Sequence, residues 1–382
     1  MKILTWQNPG QLFVAQELIN KVKSKCCGIK EIMKRLGFID IARGIGMLSV
    51  IIGHHIIIAK SEQPFETLFC DFFWSFHMPM FFILSGYFLD INKYTIKEQL
   101  IKDARHILLP CVSTIFASFL CNFLLGQIAP EKMLLKTIGV FCLLVQPIGV
   151  WFLLSLFWGR LFCKIALGCK NYQIGILILL ALNALALVVP FRYVQFIPFL
   201  VGRGLVSPAF ILIGILCRKK RIFDKWSYAT LWSFIALLIL VGAPKVVFDT
   251  SRCEYPLFMM NIITSTSITI SFLYVCYLLD IRNRDLHPHV VLHKLMTFRV
   301  VKSLFNCLMY GYHSIIKLVC FIGRHSLAVL CYHAFLISAV RLQNYIPVKS
   351  QFVVGVIVST IITLLVYIQT MVIVYFNHNS QK

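Results

Sequence analysis

Charged residues are scarce in this chain. They make up 14% of its 382 residues, against roughly 25% in an ordinary soluble domain. Acidic residues are the scarcest, with 15 Asp and Glu beside 37 Lys and Arg, while hydrophobic residues reach 59% and the mean hydropathy is +0.82. No soluble core could cover so much apolar surface, so the composition excludes a cytosolic enzyme, a disordered chain and a fibrous protein. It predicts an all-α, polytopic membrane protein.

Several catalytic and binding motifs are missing as well. The sequence has no GxSxG, P-loop or Rossmann fingerprint, so nothing in it indicates a serine nucleophile or ATP use. The 14 cysteines form no CxxC pair, which argues against a disulfide framework or a zinc site. His287, His289 and His293 are spaced like metal ligands, but no Cys or Asp completes the set convincingly. We therefore predict no metal and no permanently bound cofactor.

Ten apolar stretches are candidates for crossing a bilayer core, which takes about 20 residues of helix. They cover residues 38–59, 69–89, 107–125, 149–168, 174–189, 194–217, 229–247, 261–280, 324–341 and 352–376. The fourth is open to a second interpretation, because the stretch 138–159 is also apolar. Either choice leaves an even number of spans.

The basic residues predict how these spans are oriented. If the N-terminus is cytoplasmic, 25 of the Lys and Arg residues fall on the cytoplasmic side and 8 on the other. This is the positive-inside pattern, and it predicts that both termini are cytoplasmic. Because the positive charge follows membrane topology, it indicates the lipid bilayer as a partner and no nucleic acid. The predicted location is the inner (plasma) membrane of the cell, with multiple passes.

The first 35 residues differ from the rest of the chain. Apolar residues recur there at helical spacing, among several lysines. One interpretation is a basic amphipathic helix on the inner membrane surface; the other is an N-terminal extension without a defined role, with Met33 as the true start. The chain is therefore divided into a basic N-terminal extension, residues 1–35, and a membrane-embedded domain, residues 36–378.

Polar residues inside a span are costly, so they are functional candidates by default. Arg43 and His54 lie eleven positions apart in the first span, which on a helix places them about 16 Å apart along the axis and about 20° apart around it. Both therefore project from nearly one face, and Asp40, one turn before Arg43, can pair with it. The alternative is structural, with Arg43 reaching back to the inner interface and His54 capping a loop.

The second span carries His77 at the predicted depth of His54. Pro79 follows two residues later and would free a backbone carbonyl next to His77. Ser85 and Gly86 give a small face for the close approach of another helix. His77 is thus a further candidate for the site, and the alternative is a packed histidine bonded to a backbone carbonyl.

These residues carry a resemblance to a known family. Arg43 and His54 match an Arg-x10-His motif, and residues 76–86 match a phenylalanine-rich FHMPxFFxLSG motif. Weaker matches are Lys102, Arg105, Pro110, residues 151–153, residues 197–199, and residues 322–327 leading to His333. Over residues 36–376 the sequence resembles the acyltransferase-3 family of integral membrane acyltransferases, and it is most similar to the fucose 4-O-acetylase-like branch.

The resemblance implies about ten spans and O-acyl transfer. The donor would be acetyl-CoA or another acyl-CoA, and the carbohydrate acceptor a sugar hydroxyl of a surface polysaccharide or of its lipid-linked precursor. His54 is the candidate base, since a histidine can take the proton of a hydroxyl near pH 7, and Arg43 and His77 complete the candidate catalytic set. Arg43 and Arg105 are the candidates for binding the phosphates of coenzyme A. His55, beside His54, is not a general feature of the family, so which of the two histidines faces the site is open.

A different class of function is a transporter or flippase of a lipid-linked saccharide. Transporters commonly have paired broken helices in two related halves, whereas the polar motif here is concentrated in the first third of the chain and no internal repeat is found. A purely structural subunit would not need Arg43 and His54 on one helical face. The sequence therefore favours the acyltransferase.

Overall fold

A computed structural model of the protein describes residues 37–144, 149–169, 171–188, 198–205, 207–224, 258–285 and 299–379, together with residues 232 and 235. These residues form helices and the turns between them, and no β-strand occurs among them. The predicted all-α class is confirmed for this part of the chain.

Thirteen α-helices lie within the described ranges. They are α1 (Gly37–Ile58), α2 (Pro64–Trp74), α3 (His77–Phe88), α4 (Ile96–Asp103), α5 (Leu109–Leu124), α6 (Met133–Phe141), α7 (Trp151–Leu167), α8 (Tyr172–Val188), α9 (Ser207–Lys219), α10 (Phe258–Asp285), α11 (Arg299–Arg324), α12 (Ser326–Phe335) and α13 (Gln351–Asn379). A π-helical turn, Ala104–Leu108, joins α4 to α5, and a second, Leu336–Val340, follows α12.

Five helical segments are long and apolar enough to cross a membrane: Gly37–Ile58, Pro64–Phe88, Ile96–Leu124, Asn261–Ile281 and Gln351–Phe376. A sixth crossing results if Tyr310–Arg324 and Ser326–Val340, which are bent by 78° relative to each other, form one broken span. The protein is accordingly a multi-pass membrane protein. The predicted span 229–247 and the first part of span 194–217 lie outside the described residues, so ten spans and two cytoplasmic termini stay predictions.

The fourth and fifth predicted spans are both helical. They correspond to α7 and α8, each of 17 residues, somewhat short of the roughly 20 residues that a perpendicular crossing takes. The alternative start at residue 138 belongs to the separate helix α6, which ends at Phe141.

The basic stretch before the ninth predicted span contains a long helix, which sequence patterning did not indicate. This helix, α11, runs for 26 residues up to Arg324. The chain then bends sharply at His325, so that the predicted span 324–341 begins at the bend. The triplet His287, His289 and His293 lies outside the described residues.

Helices α3 and α9 cross with their backbones in contact. A Cβ atom on Gly86 would overlap the carbonyl oxygen of Ile211, and one on Gly214 would overlap the carbonyl oxygen of Ile83. The aromatic rings of Phe82 and Phe210, both fully buried, stack beside this crossing. The small face predicted at residues 85–86 thus does bring a second helix close, and it fixes the position of α3 in the bundle.

The loop between α3 and α4 is tied to two other helices. The Lys164 ammonium on α7 donates to the backbone carbonyls of Ile91 and Tyr94, and Asp90 pairs with Arg218 on α9 at 3.2 Å. The backbone N–H of Asn92 and the Arg218 guanidinium together lower the pKa of the Asp90 carboxyl. This end of α3 and the start of α4 are therefore held against α7 and α9, which matters because the cavity described below opens beside them.

Candidate active site

Two histidines from distant parts of the chain meet inside the bundle. The Nδ1 atom of His54 on α1 lies 3.2 Å from the Nε2 atom of His333 on α12. The ring planes are nearly parallel, inclined by 13°, and the ring centroids are 5.0 Å apart. His333 is fully buried and His54 is partly buried. The contact is a hydrogen bond in which one ring nitrogen donates and the other accepts.

A cavity of about 790 Å³ lies further along the same two helices. Arg43 and Met47 line it from α1, and Ser326 and Leu330 line it from α12. Residues three, four or seven positions apart share a face of a helix. His54 therefore lies on the same face of α1 as Met47, and His333 lies on the same face of α12 as Ser326 and Leu330. The rise is about 10 Å from Met47 to His54 and about 5 Å from Leu330 to His333. The cavity and the histidine pair therefore lie at different heights along the same faces of α1 and α12.

The cavity is positively charged at one end and apolar elsewhere. Arg43, Arg160 and Arg324 line it, with His106 beside them and Asp40 as the acidic member of the lining. Most of the remaining lining is apolar: Met47, Phe81, Phe88, Ile107, Phe152, Leu153, Leu156, Leu327 and Leu330. Of the three guanidinium groups, that of Arg160 is paired with Asp103, and those of Arg43 and Arg324 can attract an anion, since a guanidinium can bind a phosphate or carboxylate in a bidentate way.

The Arg43 guanidinium keeps its hydrogen-bond donors free towards the cavity. It stacks over the ring of Phe88, with 5.2 Å from its carbon to the ring centroid, and within the described part of the chain no carboxylate lies within 4.0 Å of it. Asp40, which the sequence suggested as its partner, lies 4.0 Å from the Nε atom of Arg324 and interacts with Arg43 electrostatically without direct contact. The face predicted for Arg43 is thus directed into a cavity, and its charge is available to a ligand.

Arg160 is held rigidly in the wall of the cavity. Its Nε atom donates to Asp103 at 3.0 Å, and one terminal nitrogen donates to the hydroxyl of Ser85 at 2.8 Å and to the Ser85 carbonyl at 3.2 Å. The sequence analysis gave no role to Arg160, although this residue lies within the predicted span 149–168. An arginine inside an otherwise apolar helical stretch was the available signal.

Arg105, the second predicted phosphate ligand, is not among the residues that line the cavity. It is exposed, and the next residue, His106, lines the cavity instead. Both belong to the π-helical turn Ala104–Leu108. A π turn adds a residue to the helical repeat and so rotates the side chains that follow it relative to a regular α-helix.

His77 lies at the break between α2 and α3. Its Nδ1 atom donates to the carbonyl of Phe73 at 2.6 Å, which leaves Nε2 as the nitrogen with a lone pair. Pro79 has no N–H to offer to the Ser75 carbonyl four residues earlier, and the Ser265 hydroxyl donates to that carbonyl at 2.7 Å. The carbonyl that the proline was predicted to free is therefore bonded by α10. His77 is buried and does not hydrogen-bond to His54.

His55 is buried next to His54 but is not part of the ring contact. Neither of its ring nitrogens has a hydrogen-bond partner among the described residues. The backbone at Gly149, with φ of 85°, instead approaches the other histidine: a Cβ there would lie 3.3 Å from Cε1 of His54. Of the two neighbouring histidines, His54 is thus the one that contacts α12 and the backbone at Gly149. Within the described ranges, no group of three or more His, Cys, Asp or Glu side chains is arranged to hold a metal ion.

Comparison with known proteins identifies the family of the chain. No curated protein matches the chain significantly. The family model described as an acyltransferase domain matches residues 36–368, a range that includes the histidine pair and all the charged residues that line the cavity. Since the match extends over most of the sequence, the chain belongs to the acyltransferase-3 family and is a membrane acyltransferase.

Proposed function

We propose that the protein transfers an acetyl group from acetyl-CoA to a hydroxyl of a carbohydrate at the inner (plasma) membrane. The acceptor is a surface polysaccharide or its lipid-linked precursor, as in the fucose 4-O-acetylase-like branch of the family. The observation that carries the proposal is the arginine-lined cavity, which lies on the same faces of α1 and α12 as the His54–His333 pair. The arginine-lined cavity suits an anionic donor, and the His54–His333 pair provides a proton acceptor.

The donor is assigned to the cavity because of the charge of the cavity lining and the volume of the cavity, about 790 Å³. Coenzyme A carries phosphates that Arg43 and Arg324 can bind, and the apolar walls suit its uncharged parts. Arg160 stands at a fixed position in the same wall, with its charge balanced by Asp103. With cytoplasmic termini, as the basic residues predict, this end of α1 opens towards the cytoplasm, where acyl-CoA is made.

The acetyl thioester of the bound donor must then reach the histidines while the phosphates of coenzyme A stay at the arginines. The span from Arg43 to His54 is about 16 Å along α1, a distance suited to a thin, flexible pantetheine arm lying along the helix. Met47 and Leu330 line the intermediate part of the cavity. The thioester carbonyl would then lie near the ring of His54 while the phosphates stay with the arginines.

The chemistry assigned to His54 is general base catalysis. Its Nε2 lone pair takes the proton of the sugar hydroxyl as the hydroxyl oxygen attacks the thioester carbonyl carbon. The tetrahedral intermediate collapses with cleavage of the carbon–sulfur bond, and the proton on Nε2 passes to the departing thiolate. The products are the acetyl ester and coenzyme A with a free thiol. His77, whose Nδ1–H is used by the Phe73 carbonyl and whose Nε2 keeps a lone pair, is the candidate for contacting the acceptor.

The direct test is incubation of the purified protein in detergent with acetyl-CoA labelled in the acetyl group and a panel of glycans. We expect the label in an ester on a glycan, removable by mild base, with stoichiometric release of free thiol. Detergent removes any separation of compartments, so a transporter would transfer no label. The absence of label from every glycan, with release of thiol no faster than without protein, would overturn the proposed function.

A further inference from the structure

We propose that His333 is the positioning residue of His54: it accepts a hydrogen bond from Nδ1 of His54 and so keeps the Nε2 lone pair free for the acceptor hydroxyl. The inference rests on the proposed function, because it assigns a role within the same transfer reaction. It starts from the 3.2 Å contact between His54 Nδ1 and His333 Nε2, which joins residues 279 positions apart in the chain.

The contact restricts the tautomers of both rings. A neutral imidazole carries its proton on one nitrogen only. If His54 is to accept a proton at Nε2, its own proton must be on Nδ1, and Nε2 of His333 is the atom within hydrogen-bond distance to accept it. With the opposite tautomer, Nε2 of His54 carries a proton and cannot act as a base. The pair thus requires His333 to be the acceptor for His54 to work.

The charge that develops in the reaction strengthens the same bond. Once His54 has taken the proton of the hydroxyl, it is an imidazolium and its Nδ1–H becomes a charge-assisted donor. The bond to His333 is then stronger in the transition state than in the resting enzyme, which is the condition for an interaction to accelerate the chemical step. The hydrogen bond, made between nearly parallel rings, also fixes the direction of the His54 ring.

Packing alone does not account for a histidine at this position. The side chain of His333 is fully buried, and within the described part of the chain its Nδ1 atom has no hydrogen-bond partner. A buried polar atom without a partner costs stability that an apolar ring of similar size would not. If His333 served only in packing, phenylalanine could therefore replace it without loss of activity. We expect that this substitution does reduce activity.

Two substitutions separate positioning from packing. His333→Phe keeps a planar ring and removes the acceptor, whereas His333→Gln offers an amide oxygen that can accept from Nδ1–H of His54. Tyr332→Phe is the matched control, since Tyr332 is the preceding residue of the same helix but lines a separate apolar groove with Pro110 and Phe335. Each purified variant is measured for kcat and KM with acetyl-CoA, for binding of coenzyme A, and for its melting temperature in detergent.

We expect kcat to fall by about 10²-fold in His333→Phe, with KM for acetyl-CoA, coenzyme A binding and melting temperature unchanged. His333→Gln should recover about tenfold of that loss, and Tyr332→Phe should match the wild type. Wild-type kcat in His333→Phe, or equal loss in the Phe and Gln variants together with a lower melting temperature, would overturn the positioning role while leaving the proposed function intact. A wild-type enzyme that transfers no acetyl group would instead overturn the proposed function, and this inference with it.

Discussion

The guanidinium of Arg160 on α7 lies 3.0 Å from the carboxylate of Asp103 at the end of α4, and the two side chains are only 12% and 6% exposed. The same guanidinium also donates to Ser85 on α3. One arginine thereby joins three helices at the wall of the cavity. Because the pair is buried, its members depend on each other far more than two surface charges would.

Removal of Arg160 should therefore destabilise the protein strongly. Arg160→Leu leaves the Asp103 carboxylate buried with Gln99 as its remaining partner, and breaking a buried pair in this way costs about 3–5 kcal/mol. Melting in detergent is the measurement. Arg218→Leu, at the exposed pair with Asp90, is the control and should cost no more than about 1 kcal/mol. Equal shifts in melting temperature for the two variants would show that the buried pair stabilises the protein no more than the exposed pair does.

The crossing of α3 and α9 predicts an unusual response to a small substitution. Gly214→Ala should destabilise the protein by about 1–3 kcal/mol, because the new methyl group would overlap the backbone of α3 at Ile83. Gly311→Ala is the matched control: it is also helical, but nothing lies within 4 Å of the added atom, and alanine should stabilise that helix by about 0.5–1 kcal/mol. The two melting temperatures should move in opposite directions, and a shift of the same sign in both would contradict the packing described here.

Arg43 should contribute to donor binding through its geometry as well as its charge. Loss of a charged hydrogen-bond donor costs about 1.5–3 kcal/mol, so Arg43→Ala should weaken coenzyme A binding by about tenfold or more. Arg43→Lys keeps the charge but not the bidentate fork, and the loss should be smaller. Titration of the purified variants with coenzyme A measures this directly.

Arg105→Ala is the control for that titration. Arg105 was predicted as a phosphate ligand, but it does not line the cavity, and its removal should leave the affinity near the wild-type value. Equal weakening by Arg43→Ala and Arg43→Lys would favour a requirement of the fold for the guanidinium, such as its stacking on Phe88, over phosphate recognition.

The sequence predicted the parts of the site that depend on one helix. Arg43 and His54 share a face because helical spacing alone determines it, and both α1 and the motif around His77 form where apolar patterning placed them. The partners of these residues come from elsewhere in the chain. His333 meets His54 across 279 positions, and Arg324 approaches Asp40 from the end of α11.

The bend at His325 could not be inferred from composition, since no proline or glycine marks residue 325 itself. Arg105 was assigned from the family resemblance, as a basic residue ahead of the third predicted span, and this does not determine which side chain of the π-helical turn lines the cavity. Helical periodicity thus predicted one of the two residues in each contact, such as His54 in its contact with His333. The position of the other residue depends on tertiary packing and on departures from ideal helical geometry, which residue spacing does not contain.

The donor route requires a defined orientation of α1 in the membrane. In cells whose accessible native cysteines, such as the exposed Cys169, have been replaced, Glu62→Cys should react with an impermeant thiol reagent from outside. Asn92→Cys should react only after the membrane is opened. Both positions are exposed and lie beyond opposite ends of the segment Pro64–Phe88. The reverse labelling pattern would place the Arg43 end of α1 outside and rule out a cytoplasmic donor at the arginine-lined cavity.

The role of His54 as the base is tested most directly by acetyl transfer in His54→Ala compared with His55→Ala. Both residues lie on α1, but only His54 makes the ring contact with His333. In the purified, correctly folded His54→Ala variant we predict a loss of kcat of about 10²–10⁴-fold with coenzyme A affinity unchanged, and in His55→Ala a kcat close to that of the wild type. Near wild-type turnover in His54→Ala, or the large loss in His55→Ala instead, would contradict the assignment of His54 as the base.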